Sequence, residues 1–456
     1  MVFKKILSNK NTFSCIFLLV SLGLLIYQYY GLIEFIVYGA IITFIGLILY
    51  DLDFIIPPYL FLIGITAQLP EEYHHLFSYG MSAIVIWAWI LNKVYHNDHL
   101  RSIIISDKLL IYFIIFHVSW NLICSLFSNH PFEGLYVTLR IAVFFLIIYI
   151  FYDWLSSKKR IIVIINTIIF IGLFASIFSL INFIQSGLLI DISALFRYGG
   201  IFTGANAFGF VLSVAIPLAL SQLIATNSNG IRIGYIIIIT ILGLSLLLTF
   251  SRSAWLASFI ACIYILFHNN LIRKIILLVS FVGFFITWTN ENVLKQIYQI
   301  IRFENFLTHR DILWKAALEI INDHPITGVG PNSIKYYLVN YSGLNPNSQL
   351  GDLIQFAKNN SHNYFLTMGA ELGLIGIIIA ISSIGIFFYY YFTNLPYINV
   401  DDRIIFISCG AIVAGLLGRS FFEGNGILTN GWLSFDVYYW IIFAISLRFK
   451  QLSLGK

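Results

Sequence analysis

Charge is what this chain has least of. Only 10% of its 456 residues are Asp, Glu, Lys or Arg, against 59% hydrophobic and 17% aromatic. A water-soluble globular domain is roughly 25% charged, so this chain cannot cover a water-facing surface. That excludes a soluble enzyme, a nucleic-acid module, a disordered protein and a secreted disulfide scaffold. Cysteine is scarce too. Cys15, Cys124, Cys262 and Cys409 lie far apart inside apolar stretches with no CxxC spacing, which reads as small packing residues. The mean hydropathy of +0.88 makes the bilayer the solvent, and the long apolar runs favour one polytopic body over several soluble domains.

A spanning helix needs roughly 17–25 mostly apolar residues. Candidates fall at 13–30, 33–50, 54–69, 76–92, 109–127, 135–152, 161–186, 205–225, 233–250, 254–268, 275–289, 363–392, 404–421 and 431–447. The short pieces around Pro57-Pro58 and at 254–268 leave the expectation at about 12–14 spans. The fold class is therefore all-α: a polytopic membrane helix bundle. Lys4, Lys5 and Lys10 precede the first run, Phe13 to Tyr30, as in a signal peptide. No small-x-small cleavage site follows, so it reads as a retained first helix. The one long connection, Asn290 to Ser361, is of functional length and is expected to carry amphipathic helices. The chain thus divides into a bundle at 1–289, an outer loop at 290–361 and C-terminal membrane helices at 362–456.

Lys and Arg in short loops mark the cytoplasmic side. With the N-terminus inside, Lys93, Arg101, Lys108, Lys158, Lys159, Arg160, Arg232, Arg273, Lys274, Arg403, Arg448 and Lys450 all fall there, and so does the C-terminus. The long loop then faces outward, together with isolated basic residues at span ends, Arg140, Arg197, Arg252 and Arg419. No nucleotide donor is available on that side, so chemistry there needs a donor already activated and carried by the membrane. A single arginine at such a depth either marks a site or snorkels to headgroups. Arg197, Arg252 and Arg310 gather on one face, and a cluster of arginines suits a diphosphate.

Within the loop, Thr308 and Asp311 have the spacing of a capping box. The helix that follows carries an apolar face of Ile312, Leu313, Ala316, Ala317, Ile320 and Ile321, and stops at His324-Pro325. His324 reads as a helix-end residue on the dipole. At the end of the loop, Ser361 is the expected N-cap of the next span. His362 then stands in its first turn, where the helix-start dipole favours the neutral imidazole that a general base needs and an anion can bind. Gly369, Gly373 and Gly376 read as a small-residue packing face, and Glu371 as half of a buried ion pair with an arginine. Asp51-Leu-Asp53 matches the DxD of nucleotide-sugar transferases, but its cytoplasmic turn has no nucleotide-binding domain beside it and reads as a solvated loop. His74-His75 beside Glu71-Glu72 reads as an interfacial loop, and no metal site is expected.

Four runs together resemble the O-antigen ligase and O-antigen polymerase superfamily. They are Arg197-Tyr-Gly-Gly-Ile-Phe leading into Asn206-Ala-Phe-Gly; Thr249-Phe-Ser-Arg252-Ser-Ala-Trp255; Arg310-Asp-Ile-Leu-Trp314 through His324-Pro325-Ile-Thr-Gly328-Val-Gly330; and Ser361-His362-Asn363 through Glu371-Leu-Gly373. The resemblance covers roughly residues 195–380; Ala205 departs from it where the family usually has proline. It implies a bacterial inner-membrane glycosyltransferase using an undecaprenyl-diphosphate-linked glycan at the periplasmic face, without cofactor. On that reading His362, Arg310 and Arg252 are catalytic. Arg197, Asn206, Ser361 and Asn363 bind substrate, and an inverting single displacement needs no metal. The acceptor is a lipid A-core sugar, and the partners are lipids and glycans, not nucleic acid. Two alternatives stay open: a polymerase joining lipid-linked repeats, and a polysaccharide flippase or other transporter, which predicts midplane polar residues and internal repeats.

Overall fold

The computed structural model of the chain describes residues 51–66, 71–95, 108–185, 199–202, 204–268, 310–343 and 360–454, with side chains at 77–94 in the second of these stretches. In hydrocarbon a backbone N–H or C=O finds no water, so long apolar runs satisfy themselves as helices. The described chain does this throughout. Its helices are α1 (Ile56–Ile65), α2 (Glu71–Tyr95), α3 (Lys108–Leu126), α4 (Pro131–Trp154), α5 (Lys158–Gln185), α6 (Ala205–Ala225), α7 (Asn229–Leu248), α8 (Arg252–Phe267), α9 (Arg310–Asp323), the single turn α10 (Leu338–Tyr341), α11 (Tyr364–Asn394), α12 (Val400–Ser420) and α13 (Leu433–Ser453). Every expected span within the described residues is a helix. Six are long and apolar enough to cross a membrane; α1 and α8 are apolar but shorter. Candidates 13–30, 33–50 and 275–289 lie outside the described residues. Outward side chains are themselves apolar, as with Tyr112, Ile115 and Phe116 on α3 and Ile233, Ile236 and Ile237 on α7. The protein is an all-α polytopic bundle.

The helices alternate in direction, so their ends sort into two sets. One end holds the basic residues expected in the cytoplasm, several in ion pairs: Lys93–Asp153 at 3.0 Å, Arg160–Asp53 at 2.7 Å, and Lys158–Asp402. Asp53 stays solvated, its side chain 46% exposed, and also accepts from Trp154 Nε1 at 2.7 Å. It staples the start of α1 to the turn between α4 and α5. His74-His75 likewise lies within helix α2 and not in a loop.

The opposite end carries α9 and the turns that follow it. α9 buries the face read from the sequence, Leu313, Ala316, Ala317, Ile320 and Ile321, against Ala370 of α11 and against Val329, Ile334 and Leu338. His324 follows α9 directly, its N–H bonding Ile320 O at 2.9 Å. The segment is tied down elsewhere by Ser128 Oγ donating to Val329 O (2.8 Å) and by Lys335, Tyr336 and Asn332 converging on Glu133.

Gly369, Gly373 and Gly376 do not form a continuous packing face, because α11 breaks at Gly373 (φ 72°, ψ −167°). A Cβ on Gly376 would lie 2.1 Å from Met368 O, although eight residues of straight helix span about 12 Å. Four of the backbone groups at the break find partners from other segments. Ala370 O and Glu371 O accept from the N–H groups of Val329 and Gly330, both at 2.9 Å. Leu372 O accepts from Trp120 Nε1 at 3.0 Å, and Leu374 N–H donates to Pro325 O at 2.9 Å. A broken helix is tolerated at membrane depth only with such re-pairing. Glu371, buried beside the break, forms no ion pair with arginine among the described residues. Gly373→Ala is expected to destabilise the fold by about 1–3 kcal/mol from backbone strain alone. Its Cβ would also meet Ile326 O at 2.0 Å. The midpoint of thermal unfolding in detergent reads the loss.

Candidate functional site

The loop between α12 and α13 opens the site. It is short, but pinned at many points. Arg419, buried and stacked 4.7 Å over Phe210, donates to Asn425 O (2.6 Å) and Asn425 Oδ1 (3.1 Å). Asp436 accepts from the N–H groups of Gly426 (3.0 Å) and Thr429 (2.8 Å), and Arg140 Nε donates to Asn430 O at 2.6 Å. Two of the arginines isolated in the sequence thus hold this loop. The pinned loop presents Glu423, whose side chain is 5% exposed.

Glu423 is the centre of the site. Its Oε1 accepts from Asn206 Nδ2 at 2.7 Å, from Arg310 Nη2 at 2.7 Å and, more weakly, from Ser253 Oγ at 3.5 Å. Its Oε2 faces His362 Nδ1 at 3.2 Å. Asn206 is held in turn by Ser251 Oγ, which donates to its Oδ1 at 2.8 Å, so the amide's NH2 end must point at the carboxylate. Burial pushes the Glu423 carboxyl up, but His362 beside it, then Arg310 and Arg419, outweigh burial and hold it down to about 2. The carboxylate is ionised at neutral pH.

His362 does not sit in the first turn of α11, and Ser361 is not its N-cap. Asn363 caps the helix, its Oδ1 accepting from Leu366 N–H at 3.0 Å. Ser361 is fully buried, bonded to Thr367 Oγ1 at 2.9 Å and to Asn363 O at 3.0 Å. His362 falls just before the helix with φ 53°, a left-handed conformation that costs a residue other than glycine roughly 1–2 kcal/mol. Asn360 Oδ1 accepts its N–H at 2.8 Å, and Asn363 Nδ2 reaches Phe421 O at 3.2 Å. The strained peptide is therefore clamped on both sides and tied to the loop of Glu423. Its ring is 28% exposed, and Nε2 makes no hydrogen bond among the described residues. A carboxylate on Nδ1–H fixes the tautomer that leaves Nε2 as the proton acceptor. A carboxylate, and not the helix start, therefore orients the ring.

Arg252 is the first residue of α8, between Ser251 and Ser253, both of which belong to this network. Phe250 immediately before them has φ 47°, so two strained peptides flank the site, as functional constellations often show. The structure thus brings together His362, Arg310, Asn206 and the turn of Arg252. Arg197 and Thr308 lie outside the described residues. Asn206 touches the carboxylate, and the polar atoms of Ser361 and Asn363 are spent on backbone and on Thr367. Glu423 was absent from the sequence reading. Its one local signal is a lone carboxylate in a Gly- and Asn-rich turn at the same end of the bundle as His362.

Comparison with known families gives one result. Residues 236–381 match the model described as O-antigen ligase. The matched stretch contains Arg252, Arg310, Ser361, His362 and Asn363, whereas Asn206 and Glu423 lie outside it. No curated protein matches the chain significantly.

Proposed function

We propose that this chain, a member of the O-antigen ligase superfamily, transfers a glycan from undecaprenyl diphosphate to a lipid A-core sugar hydroxyl on the periplasmic face of the inner membrane. The observation that carries the reading is the pair His362 Nδ1–Glu423 Oε2 with Arg310 on the other oxygen of the same carboxylate. His362 Nε2 takes the proton from the acceptor hydroxyl as its oxygen attacks the donor's anomeric carbon. The bond from that carbon to the diphosphate oxygen breaks, and its electron pair leaves with the diphosphate. Arg310 spends one of its five N–H donors on Glu423 and offers the others to the departing charge, with Arg252 and Arg197. One displacement inverts the anomeric centre.

The test is the surface polysaccharide ladder of a deletion strain. Polymer that stays lipid-linked, with none on lipid A, is expected. A single repeat on lipid A would move the assignment to a polymerase, and a normal ladder would sink both.

Asn206 serves here to orient Glu423 and not to hold substrate. Asn206→Ala is expected to lower the transfer rate about tenfold, the worth of one hydrogen bond to a charged group. Asn206→Asp is expected to cost more, since it sets a second carboxylate against the first. A residue that bound a sugar hydroxyl would tolerate Asp and change KM instead of kcat, so steady-state kinetics of the two variants separate the roles.

A further inference from the structure

At the end of the bundle opposite His362, an apolar groove of about 240 Å³ opens between α3, α4 and α13. Its walls include Leu110, Ile114, Phe145, Ile148, Trp440 and Leu447. On α4 and α13 it runs inward from Tyr152 and Leu447 to Phe145 and Trp440, seven residues or about 10 Å on each helix. Its mouth therefore lies near the helix ends, at headgroup level, and its floor in the hydrocarbon. Arg448 stands at that mouth. Its guanidinium lies 3.9 Å over the ring of Tyr152, a lining residue, with Nε on Tyr152 O (2.8 Å) and Nη1 on Gln451 Oε1 (2.6 Å). Gln451 Nε2 closes the frame on Tyr152 Oη at 2.8 Å.

The charge balance of this end is uneven. Lys93, Arg160 and Lys158 are each matched by an aspartate, Asp153, Asp53 and Asp402. Among the described residues no carboxylate lies within 4 Å of Arg448, so a rigidly held cation stands beside an apolar slot.

We propose that the groove is a binding site for an anionic phospholipid of the surrounding membrane, with one acyl chain in the slot and its phosphate on Arg448. A basic residue at the mouth of an interhelical groove has the composition for this kind of headgroup recognition, and the apolar walls suit a hydrocarbon chain. The site uses none of the residues around Glu423 and depends only on the bundle lying in a bilayer.

Trp440 supplies the probe. The full-length protein is placed in phosphatidylcholine nanodiscs containing acyl-brominated phosphatidylglycerol or, at equal mole fraction, acyl-brominated phosphatidylcholine. The Trp440 signal is taken as the difference between wild type and Trp440→Phe, because the chain has nine tryptophans. Phosphatidylglycerol is expected to quench that signal at about fivefold lower mole fraction, the preference one interfacial cation confers. Arg448→Gln should bring the two lipids level while leaving quenching intact, and Ala444→Leu, which fills the slot, should weaken quenching by both. Equal quenching of the wild-type protein by the two lipids would overturn the headgroup assignment. No quenching by either would mean that protein covers the groove, whether another part of this chain or a second copy, and the lipid site would be wrong.

Discussion

His362→Ala is expected to lose about 10²- to 10⁴-fold in transfer rate, the range for removing a positioned general base, with donor binding little changed. The backbone gives an independent control. Because His362 is held at φ 53°, His362→Gly removes the base and relieves the strain together. The glycine variant should be more stable than the alanine variant and equally inactive. If His362 served only to shape the turn, glycine would restore transfer. Single-turnover assays with purified lipid-linked donor, paired with thermal melts of both variants, read the two effects separately.

Glu423→Gln is expected to fall on the order of 10²- to 10⁴-fold, because it reverses the histidine tautomer. The donors of Asn206 and Arg310 hold the amide oxygen in the place of Oε1. The amide NH2 then faces His362, Nδ1 must accept, and Nε2 carries the proton it should be taking. Glu423→Ala does different damage. Removing one partner of a buried ion pair costs about 3–5 kcal/mol, and the Arg310 side chain left behind is only 15% exposed. The Gln variant should therefore fold and fail to react, while the Ala variant should also lose expression and thermal stability. Loss of stability in both with normal turnover by the folded fraction would make Glu423 purely structural. The pH dependence has a definite sign. The carboxyl is held down to about 2 in the fold against 4.5 for an ordinary glutamate, so its stabilisation is complete above the higher figure. It is lost as pH falls from there toward the lower one. Melts at constant ionic strength should show this acid-side loss in wild type and not in Glu423→Gln.

The helices were legible because hydrophobicity at this density leaves the backbone no other option, and α9 because its apolar spacing marks one face. The Ser361-His362-Asn363 run was legible as a site, but its local geometry was not. Serine and asparagine are nearly equal as N-caps, and Asn363 takes the role because Thr367 engages Ser361 from within the helix. Gly373 looks like any small residue of an apolar span until the loop at 325–330 supplies the partners that make a break affordable. Glu423 stands 61 residues beyond His362 in what reads as an ordinary turn. Its role comes from Arg419, Asp436 and Arg140 fixing that turn, contacts with no local pattern.

The break at Gly373 also sets the height of the chemistry. A straight α11 of 31 residues would be about 46 Å long and overshoot a hydrocarbon layer of about 30 Å. His362 would then be lifted some way into the water. The stretch at 374–394 is about 31 Å long, enough to cross by itself, and the fold at Gly373 turns the remaining residues aside. On the proposed function, reach is thereby shifted from enzyme to acceptor: the attacking hydroxyl would have to come down to the level of a lipid headgroup, which favours acceptors that are themselves anchored in the membrane.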